Sequence, residues 1–213
     1  MCARCCQDHP VTETRRPYAG ESREDREAAR RAKLVAAGIS TFGAVGYREA
    51  TVGGICASAG LNKRYFYESF GSLEDLLCAV YADVVADLRR AVLAGGGVDP
   101  VAVLRGFVDG FLGWAQANPL QARVHLFEVL GVSARVDELY RSHARSVGDE
   151  LCDRLAATIP ELELAPGQRR FIGDAMVGAG LQIAVDWVLS DYQPPREELL
   201  DQLEGVVGSL LPT

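Results

Sequence analysis

The chain has 213 residues, of which 48% are hydrophobic and 24% are charged, and its formal net charge is −7. This length suffices for one sizeable core or for a small domain joined to a larger one, and the composition is ordinary for a soluble globular protein. No stretch of about 18 apolar residues runs without charge, and no apolar run like that of a secretory signal peptide opens the chain. We therefore expect a cytoplasmic protein with no membrane span.

The charges are distributed unevenly along the chain. Residues 1–70 contain 11 basic and 8 acidic residues, whereas residues 71–213 contain 11 basic and 21 acidic residues. A basic head on an acidic body favours contact between the head alone and a polyanion. Chance clustering gives the same asymmetry, so charge by itself does not identify DNA.

Residues 1–20 mix Cys, Pro, Thr and Arg without a period and predict a flexible arm. The cluster of Cys2, Cys5, Cys6 and His9 contains a C-x-x-C spacing, for which a metal or redox site is one interpretation. No second ligand pair follows at a zinc-finger distance. We therefore prefer an unstructured tail, and we expect neither a metal nor a cofactor.

The rest of the chain predicts helices throughout. Ser22, Thr51 and Ser72 are expected N-caps, because their hydroxyls can accept a hydrogen bond from an unpaired backbone N–H. Apolar residues recur behind these caps at helical spacing, and glycines or prolines separate the segments. Helices are expected near 22–43, 51–60, 62–70, 72–94, 99–117, 119–130, 134–158, 168–190 and 196–211, which makes the fold all-α.

Residues 51–70, TVGGICASAGLNKRYFYESF, predict two short helices that flank a tight turn at 59–61. This is the helix-turn-helix arrangement, whose second helix can lie in the major groove of DNA. We expect Leu61, Phe66 and Phe70 to anchor that helix on the core. The residues then left to face outward are Lys63, Arg64, Tyr65 and Tyr67.

Residues 30–80 resemble the DNA-binding domain of the TetR family of transcriptional regulators. The matching features are the Phe42, Gly46 and Tyr47 end of the first helix, the Thr-Val start of the second, the Ala-Gly turn, the Tyr67 and Phe70 pair, and the Gly-Ser-x-Glu-Asp-Leu-Leu start of the fourth. The resemblance implies an arm over 1–20, an N-terminal helix-turn-helix domain over 21–81, and a helical effector-binding and dimerisation domain over 82–213.

The resemblance also implies the roles of individual residues. It makes Lys63 and Tyr67 phosphate contacts, and it places Arg64 and Tyr65 where they face bases; Tyr65 packing on the core and Arg64 contacting phosphate alone are the alternatives. Helix starts present backbone N–H groups to phosphate. The implied DNA-binding residues are Thr51, Asn62, Lys63, Arg64, Tyr65, Tyr67 and Ser72.

Four residues depart from the family pattern. Gly53 and Gly54 stand where polar, helix-favouring residues are usual, and each glycine costs about 0.8–1 kcal/mol relative to Ala. Leu73 replaces a common lysine, and Arg64 replaces a small residue. The basic residues of the first helix are expected to offset the lost contacts, unless they form only a solvated face.

The helix over 99–117 carries two apolar stripes, and in TetR-like proteins the equivalent helix borders an effector pocket. We expect a largely apolar pocket, although simple core filling is the alternative for each residue. The expected lining is Phe107, Phe111, Trp114, His125, Phe127, Glu128, Tyr140, His143 and Trp187. The helices near 168–190 and 196–211 are expected to form a four-helix dimer interface with their copies, the first through Gly173, Gly178, Ala179 and Gly180.

The implied function is a regulator, by family default a repressor, that binds a near-palindromic operator as a homodimer and is released by a small apolar effector. A helical interaction module without DNA binding is the first alternative, and a helical-bundle enzyme is the second. The sequence contains no G-x-S-x-G, P-loop or H-E-x-x-H motif. We therefore expect no enzymatic activity.

Overall fold

The computed structural model describes residues 22–159 and 163–210, and these residues form helices and turns without a strand. The expected arm at 1–20, with its cysteine cluster, lies outside the described residues. The helices are α1 Arg23–Val45, α2 Val52–Ala59, α3 Lys63–Ser69, α4 Leu73–Ala94, α5 Pro100–Ala117, α6 Pro119–Arg123, α7 Ala134–Thr158, α8 Pro166–Leu189 and α9 Arg196–Leu210.

The predicted caps of the N-terminal helices are confirmed. The Ser22 hydroxyl accepts a hydrogen bond from the backbone N–H of Asp25. The Asp25 carboxylate in turn accepts a hydrogen bond from the Ser22 N–H, which completes a capping box. The Thr51 hydroxyl caps α2 at 3.1 Å from the Gly54 nitrogen. Gly60 ends α2 at φ +65°, a left-handed conformation that favours glycine.

A small apolar core unites α1, α2 and α3. Leu34, Phe42, Ile55 and Phe66 are all fully buried there. The first half of α4 closes this core with Leu76, Leu77 and Val80. Because α4 continues without a break to Ala94, it runs through the expected domain boundary at residue 81 and joins the small core to the body.

In the body, α5 and α7 pack against α4, and α8 packs against α7 and α5. At the crossing of α7 and α8, Gly148 faces Gly173 so closely that a Cβ on either residue would lie about 3 Å from the backbone of the other. Helix α9 lies along α5, where Arg105 pairs with three acidic residues: Glu197, Asp201 and Glu204.

Two predicted segments differ in detail. The helix expected over 119–130 is the short α6 followed by a π-helical turn at Val124–Glu128, which apolar spacing alone does not distinguish from an α-helix. Helix α8 begins at Pro166, two residues before the expected start. Proline suits this position because the first helical N–H has no partner within the helix.

Helix α8 is unusually apolar for its exposure. Among the described residues it is the one helix long and apolar enough to cross a membrane, with a mean hydropathy of 1.3 over 18 residues. A single helix of this kind is weak support for a membrane span, because helices at protein interfaces have the same composition. The four small residues of α8 that were expected to face a partner chain lie on different sides of the helix. Gly173 and Gly180 face the body, whereas Gly178 and Ala179 are exposed.

Candidate nucleic-acid interface and ligand cavity

Helix α3 presents a polar side to solvent and an aromatic side to the core. Phe66 is fully buried and Phe70 is 5% exposed, with their rings 5.9 Å apart. Lys63 and Arg64 are exposed, and Tyr67 is 59% exposed although its ring packs edge-on against Phe66. The aromatic anchors thus hold the helix while its cationic and phenolic side chains stay accessible.

Arg64 and Tyr65 have partners that constrain them to different extents. The Arg64 guanidinium lies 2.9 Å from Glu68 in an exposed ion pair, a type that contributes only about 0.3–0.5 kcal/mol. A bidentate contact with guanine is worth about 1–3 kcal/mol of discrimination, so the pair does not prevent base reading. Tyr65 is half-buried beneath the Arg30 guanidinium, which is 4.7 Å from its ring centre. This contact places the Tyr65 ring against α1.

The three remaining residues of the expected set cap helices. Asn62 accepts a hydrogen bond from the Tyr65 N–H at the start of α3, as Thr51 does for α2. Ser72 caps α4, and its hydroxyl also donates to the Asp75 carboxylate at 2.9 Å. Because that proton is engaged and a carboxylate lies beside it, Ser72 is less suited to a phosphate than Thr51 or Asn62.

A polar groove runs between α1 and α3. It contains four arginines and two glutamates, so its charge balance favours an anion. Two basic residues of α1 also lie against aromatic rings: Arg30 on Tyr65 at 4.7 Å, and Arg31 on Phe70 at 5.0 Å. The residues that line the groove are Arg23, Arg26, Glu27, Arg30, Arg64, Tyr65, Glu68 and Ser69.

The structure shows what surrounds two of the residues that depart from the family pattern, Gly53 and Leu73, and the nearby Gly46. A Cβ on Gly53 would lie 3.6 Å from Cε of Lys63, so the Lys63 stem passes over α2 where no side chain stands. Leu73, which replaces the common lysine, is partly buried against the core. Gly46 has φ +88°, and a Cβ there would lie 3.0 Å from a carboxylate oxygen of Glu128.

A partly open cavity lies between α4, α5, the π-helical turn, α7 and α8 and has a volume of about 60 Å³. Pockets that hold organic ligands measure roughly 300–1,000 Å³, so a ligand of that size requires the helices to separate. The lining is largely apolar and aromatic: Tyr81, Val85, Leu88, Arg89, Val92, Phe107, Phe111, His125, Tyr140, His143, Ala144, Val147, Val177 and Leu181.

Five of the nine residues expected at the pocket line this cavity: Phe107, Phe111, His125, Tyr140 and His143. The other four lie elsewhere. Trp114 is buried between α4 and α5, where its Nε1 donates to Asp87, and Trp187 donates to the carbonyl oxygen of Pro194. Phe127 is 39% exposed on the surface.

Glu128, the fourth residue outside the cavity, connects the body to the N-terminal helices. Its carboxylate accepts a hydrogen bond of 2.9 Å from the backbone N–H of Tyr47 and lies 3.4 Å from Arg123. Both Glu128 and His125 belong to the π-helical turn. One short segment therefore contacts the cavity at one end and the connection between α1 and α2 at the other.

The histidines and tyrosines of the cavity lining are held in their neutral forms. Burial and, to a smaller extent, the nearby His143 lower the pKa of His125 to about 4. Burial also lowers the pKa of His143, with Arg89 acting in the same direction. The pKa values of Tyr81 and Tyr140 are raised by burial. At neutral pH the cavity therefore presents uncharged imidazole and phenol groups.

Sequence reasoning missed the wall that α4 contributes. Tyr81, Val85, Leu88 and Val92 form a stripe at helical spacing, which was visible in the sequence. The expected boundary at residue 81 assigned the start of that stripe to a different domain. On α7, Tyr140 and His143 were expected, whereas Val147 of α7 and Leu181 of α8 gave no comparable signal.

Comparison with known proteins agrees with this arrangement. Residues 34–80 match the family model described as bacterial regulatory proteins, tetR family. The chain is also 30% identical over 139 residues to the HTH-type transcriptional regulator BetI of Stenotrophomonas maltophilia (strain R551-3), a match that covers 63% of this chain and 71% of BetI.

Solved structures show the same fold at lower sequence identity. The fatty acid degradation regulator FadR from Bacillus halodurans has a TM-score of 0.66 at 17% identity, covering 83% of this chain and 93% of FadR. FadR from Bacillus subtilis, solved in complex with stearoyl-CoA, has a TM-score of 0.68 at 13% identity, covering 85% and 99%. With its helix-turn-helix region, its all-helical body and its similarity to BetI, the chain belongs to the tetR family of bacterial transcriptional regulators.

Proposed function

We propose that the protein is a repressor that binds a near-palindromic operator as a homodimer in the cytoplasm and releases it when a largely apolar effector enters the cavity. The observation that carries this proposal is the two-sided helix α3, with Lys63, Arg64 and Tyr67 exposed and Phe66 fully buried. A helix held in this manner fits the major groove, where its outward side chains reach base edges and phosphates.

Dimerisation is supported by the exposed apolar surface of the last two helices. Phe171 and Leu189 of α8 are 74% and 70% exposed, and Val206 of α9 is 60% exposed. Pairing α8 and α9 with a second copy would bury these side chains in a four-helix bundle. Two-fold symmetry would then set the two α3 helices about 34–36 Å apart, or a multiple of that distance, along one DNA duplex.

The effector response is supported by the position of α4. One side of this helix closes the N-terminal core with Leu76 and Val80, and its later turns line the cavity with Val85 and Leu88. A ligand that enlarges the small cavity must displace α4 or its neighbours. The helix-turn-helix unit would move with α4, and DNA affinity would change to the extent that the ligand prefers one arrangement.

The two ends of α4 are held unequally. At the C-terminal end, the partly buried Arg154 donates to the carbonyl oxygens of Leu93 and Gly95. At the N-terminal end, the link to α7 is the exposed ion pair of Asp75 with Arg135, a type that adds little. We therefore expect the N-terminal end, which carries the DNA-binding unit, to move more relative to α7, while the hydrogen bond from Tyr47 to Glu128 keeps this unit attached to the π-helical turn. The stearoyl-CoA complex of Bacillus subtilis FadR is a case in which this fold accommodates a ligand with a long apolar chain.

Selection of bound sequences from a random DNA pool tests the proposal directly. The purified protein should enrich a near-palindromic site, and failure to enrich any duplex would contradict the proposal.

Arg64→Ala should then lower the preference for the selected base at one position of each half-site by about 1–3 kcal/mol. Lys63→Ala is the matched control, because loss of a phosphate contact should weaken all sequences alike and reduce the salt dependence. Equal losses on all sequences for Arg64→Ala would refute its base-reading role.

A further inference from the structure

The cavity combines an apolar lining with a polar atom that lacks a partner. Nδ1 of His125 is enclosed and makes no hydrogen bond with any described residue. The His125 side chain belongs to the cavity lining and is only 8% exposed. Buried polar atoms in folded proteins are normally paired. Because the imidazole ring belongs to the cavity lining, a ligand that enlarges the cavity would supply the hydrogen-bonding partner that Nδ1 lacks.

Aromatic rings surround His125 on several sides. Tyr81 stacks almost parallel to it, with ring centres 5.8 Å apart and planes 7° apart. Phe111 packs edge-on at 5.9 Å, and Tyr140 lies at 6.3 Å. These neighbours fix the plane of the imidazole and present ring faces and edges to anything that enters. Planar aromatic groups pack favourably in both geometries.

The charges of the lining restrict the ligand further. Of the described residues that form the cavity, Arg89 carries a full charge at neutral pH and no carboxylate is present. Aromatic faces attract cations, but an organic cation here would find no carboxylate in the lining, because the nearest acidic partner, Glu150, is already paired with Arg89 at 2.7 Å. A neutral imidazole offers one donor and one acceptor. A hydroxyl group matches either of them, and a carboxyl oxygen matches the donor.

We propose that the cavity binds a small aromatic molecule, uncharged or acidic, whose hydroxyl or carboxyl oxygen pairs with the imidazole of His125, and that it rejects organic cations. The assignment rests on the proposed function, in which this cavity is the effector site. It adds the chemical class of the effector and names the residue that selects for it.

Four matched probes test the class by isothermal titration calorimetry on the full chain: naphthalene, 2-naphthol, 2-naphthoate and 2-naphthylmethylammonium. We expect 2-naphthol to bind about tenfold more tightly than naphthalene, as one added hydrogen bond to a buried group allows. Binding of 2-naphthoate should be detectable and that of the ammonium compound should not. Tightest binding of the cation, or binding of none of the four, would overturn the assignment.

Variants then test His125 itself. His125→Phe keeps an aromatic ring and removes both nitrogens, so the tenfold preference for 2-naphthol over naphthalene should disappear. His125→Gln keeps a donor and an acceptor and should restore part of it. Tyr192→Phe is the control, since it alters an aromatic residue that packs on Trp187 outside the cavity lining and should preserve the preference. Naphthalene binding by His125→Phe verifies that the cavity is still formed, and a retained preference in that variant would refute the role of His125.

A parallel measurement of operator affinity separates this inference from the proposed function. If 2-naphthol binds through His125 but leaves operator affinity unchanged, the ligand class is supported and the effector response fails. If 2-naphthol releases the operator equally from the native protein and from His125→Phe, the effector response is supported and the role of His125 fails.

Discussion

The candidate DNA-binding side chains of α3 and its N-cap are neighbours in the sequence, within residues 62–67, and each of them is exposed or half-exposed. Phe66, which lies among them, is buried and anchors the helix. The cavity instead takes its lining from α4, α5, α7, α8 and the π-helical turn. The first site depends on one short helix held by a few aromatic contacts. The second depends on how distant segments pack. The effect of a substitution on α3 should therefore depend on the side chain that is replaced. The effect of a substitution in the cavity should depend on how deeply the residue is buried and on the helices that pack against it.

The largest expected effect is on stability, and it should differ between two adjacent aromatic residues of α3, Phe66 and Tyr67. Phe66→Ala should lower the free energy of unfolding by about 3–5 kcal/mol, because Phe66 is fully buried and its removal leaves a cavity. Tyr67→Ala is the matched control; its ring is 59% exposed, and the expected loss is below about 1 kcal/mol. Urea unfolding followed by circular dichroism measures both. Similar losses for the two variants would show that α3 is not anchored from one side.

The site on α3 could be predicted from the sequence to a greater extent than the cavity, because it depends on residues that are close together in the chain. Helix bounds and the caps Ser22, Thr51 and Ser72 depend on residues three or four apart, and the sequence contains that information. The orientation of α3 followed from the spacing of Phe66 and Phe70.

The cavity lining depends on contacts that no local pattern records. Trp114 and Trp187 have the size and polarity of pocket residues, but their indole nitrogens bind Asp87 and the Pro194 carbonyl oxygen. Glu128 likewise has its partner at Tyr47, 81 positions away in the chain. Residue type identified His125 and Tyr140 correctly as cavity neighbours, whereas the three-dimensional partners of the others could not be read from their own segments.

A second prediction concerns the neutral imidazole of the cavity. The pKa of His125 is about 4 in the folded protein, below the value near 6.5 of an unfolded chain. Between these values the unfolded chain binds more protons, so stability is lost as pH falls through this range. From pH 7 to pH 5 the loss due to His125 should be about 2 kcal/mol.

Urea unfolding at pH 7 and pH 5 measures that loss, with His125→Phe as the comparison. The variant should lose markedly less stability over the same interval, and the remainder should include His143, whose pKa is also lowered. An equal pH dependence in the native protein and the variant would show that His125 does not stay neutral on folding. Such a result would also weaken the contrast between the cationic side chains of α3 and the neutral imidazoles of the cavity.

The smallest effect concerns two glycines that lie close together in the helix-turn-helix region and differ in conformation. Gly53→Ala should stabilise the protein by up to about 1 kcal/mol, because alanine favours the helix and its Cβ would lie 3.6 Å from Lys63, an ordinary contact. Gly60→Ala should destabilise it by about 1–2 kcal/mol, because φ is +65° there although no atom lies near the new Cβ. Thermal unfolding of both variants gives the signs. If Gly53→Ala is destabilising, the open space over α2 must serve the Lys63 side chain, and the same variant should then bind DNA more weakly.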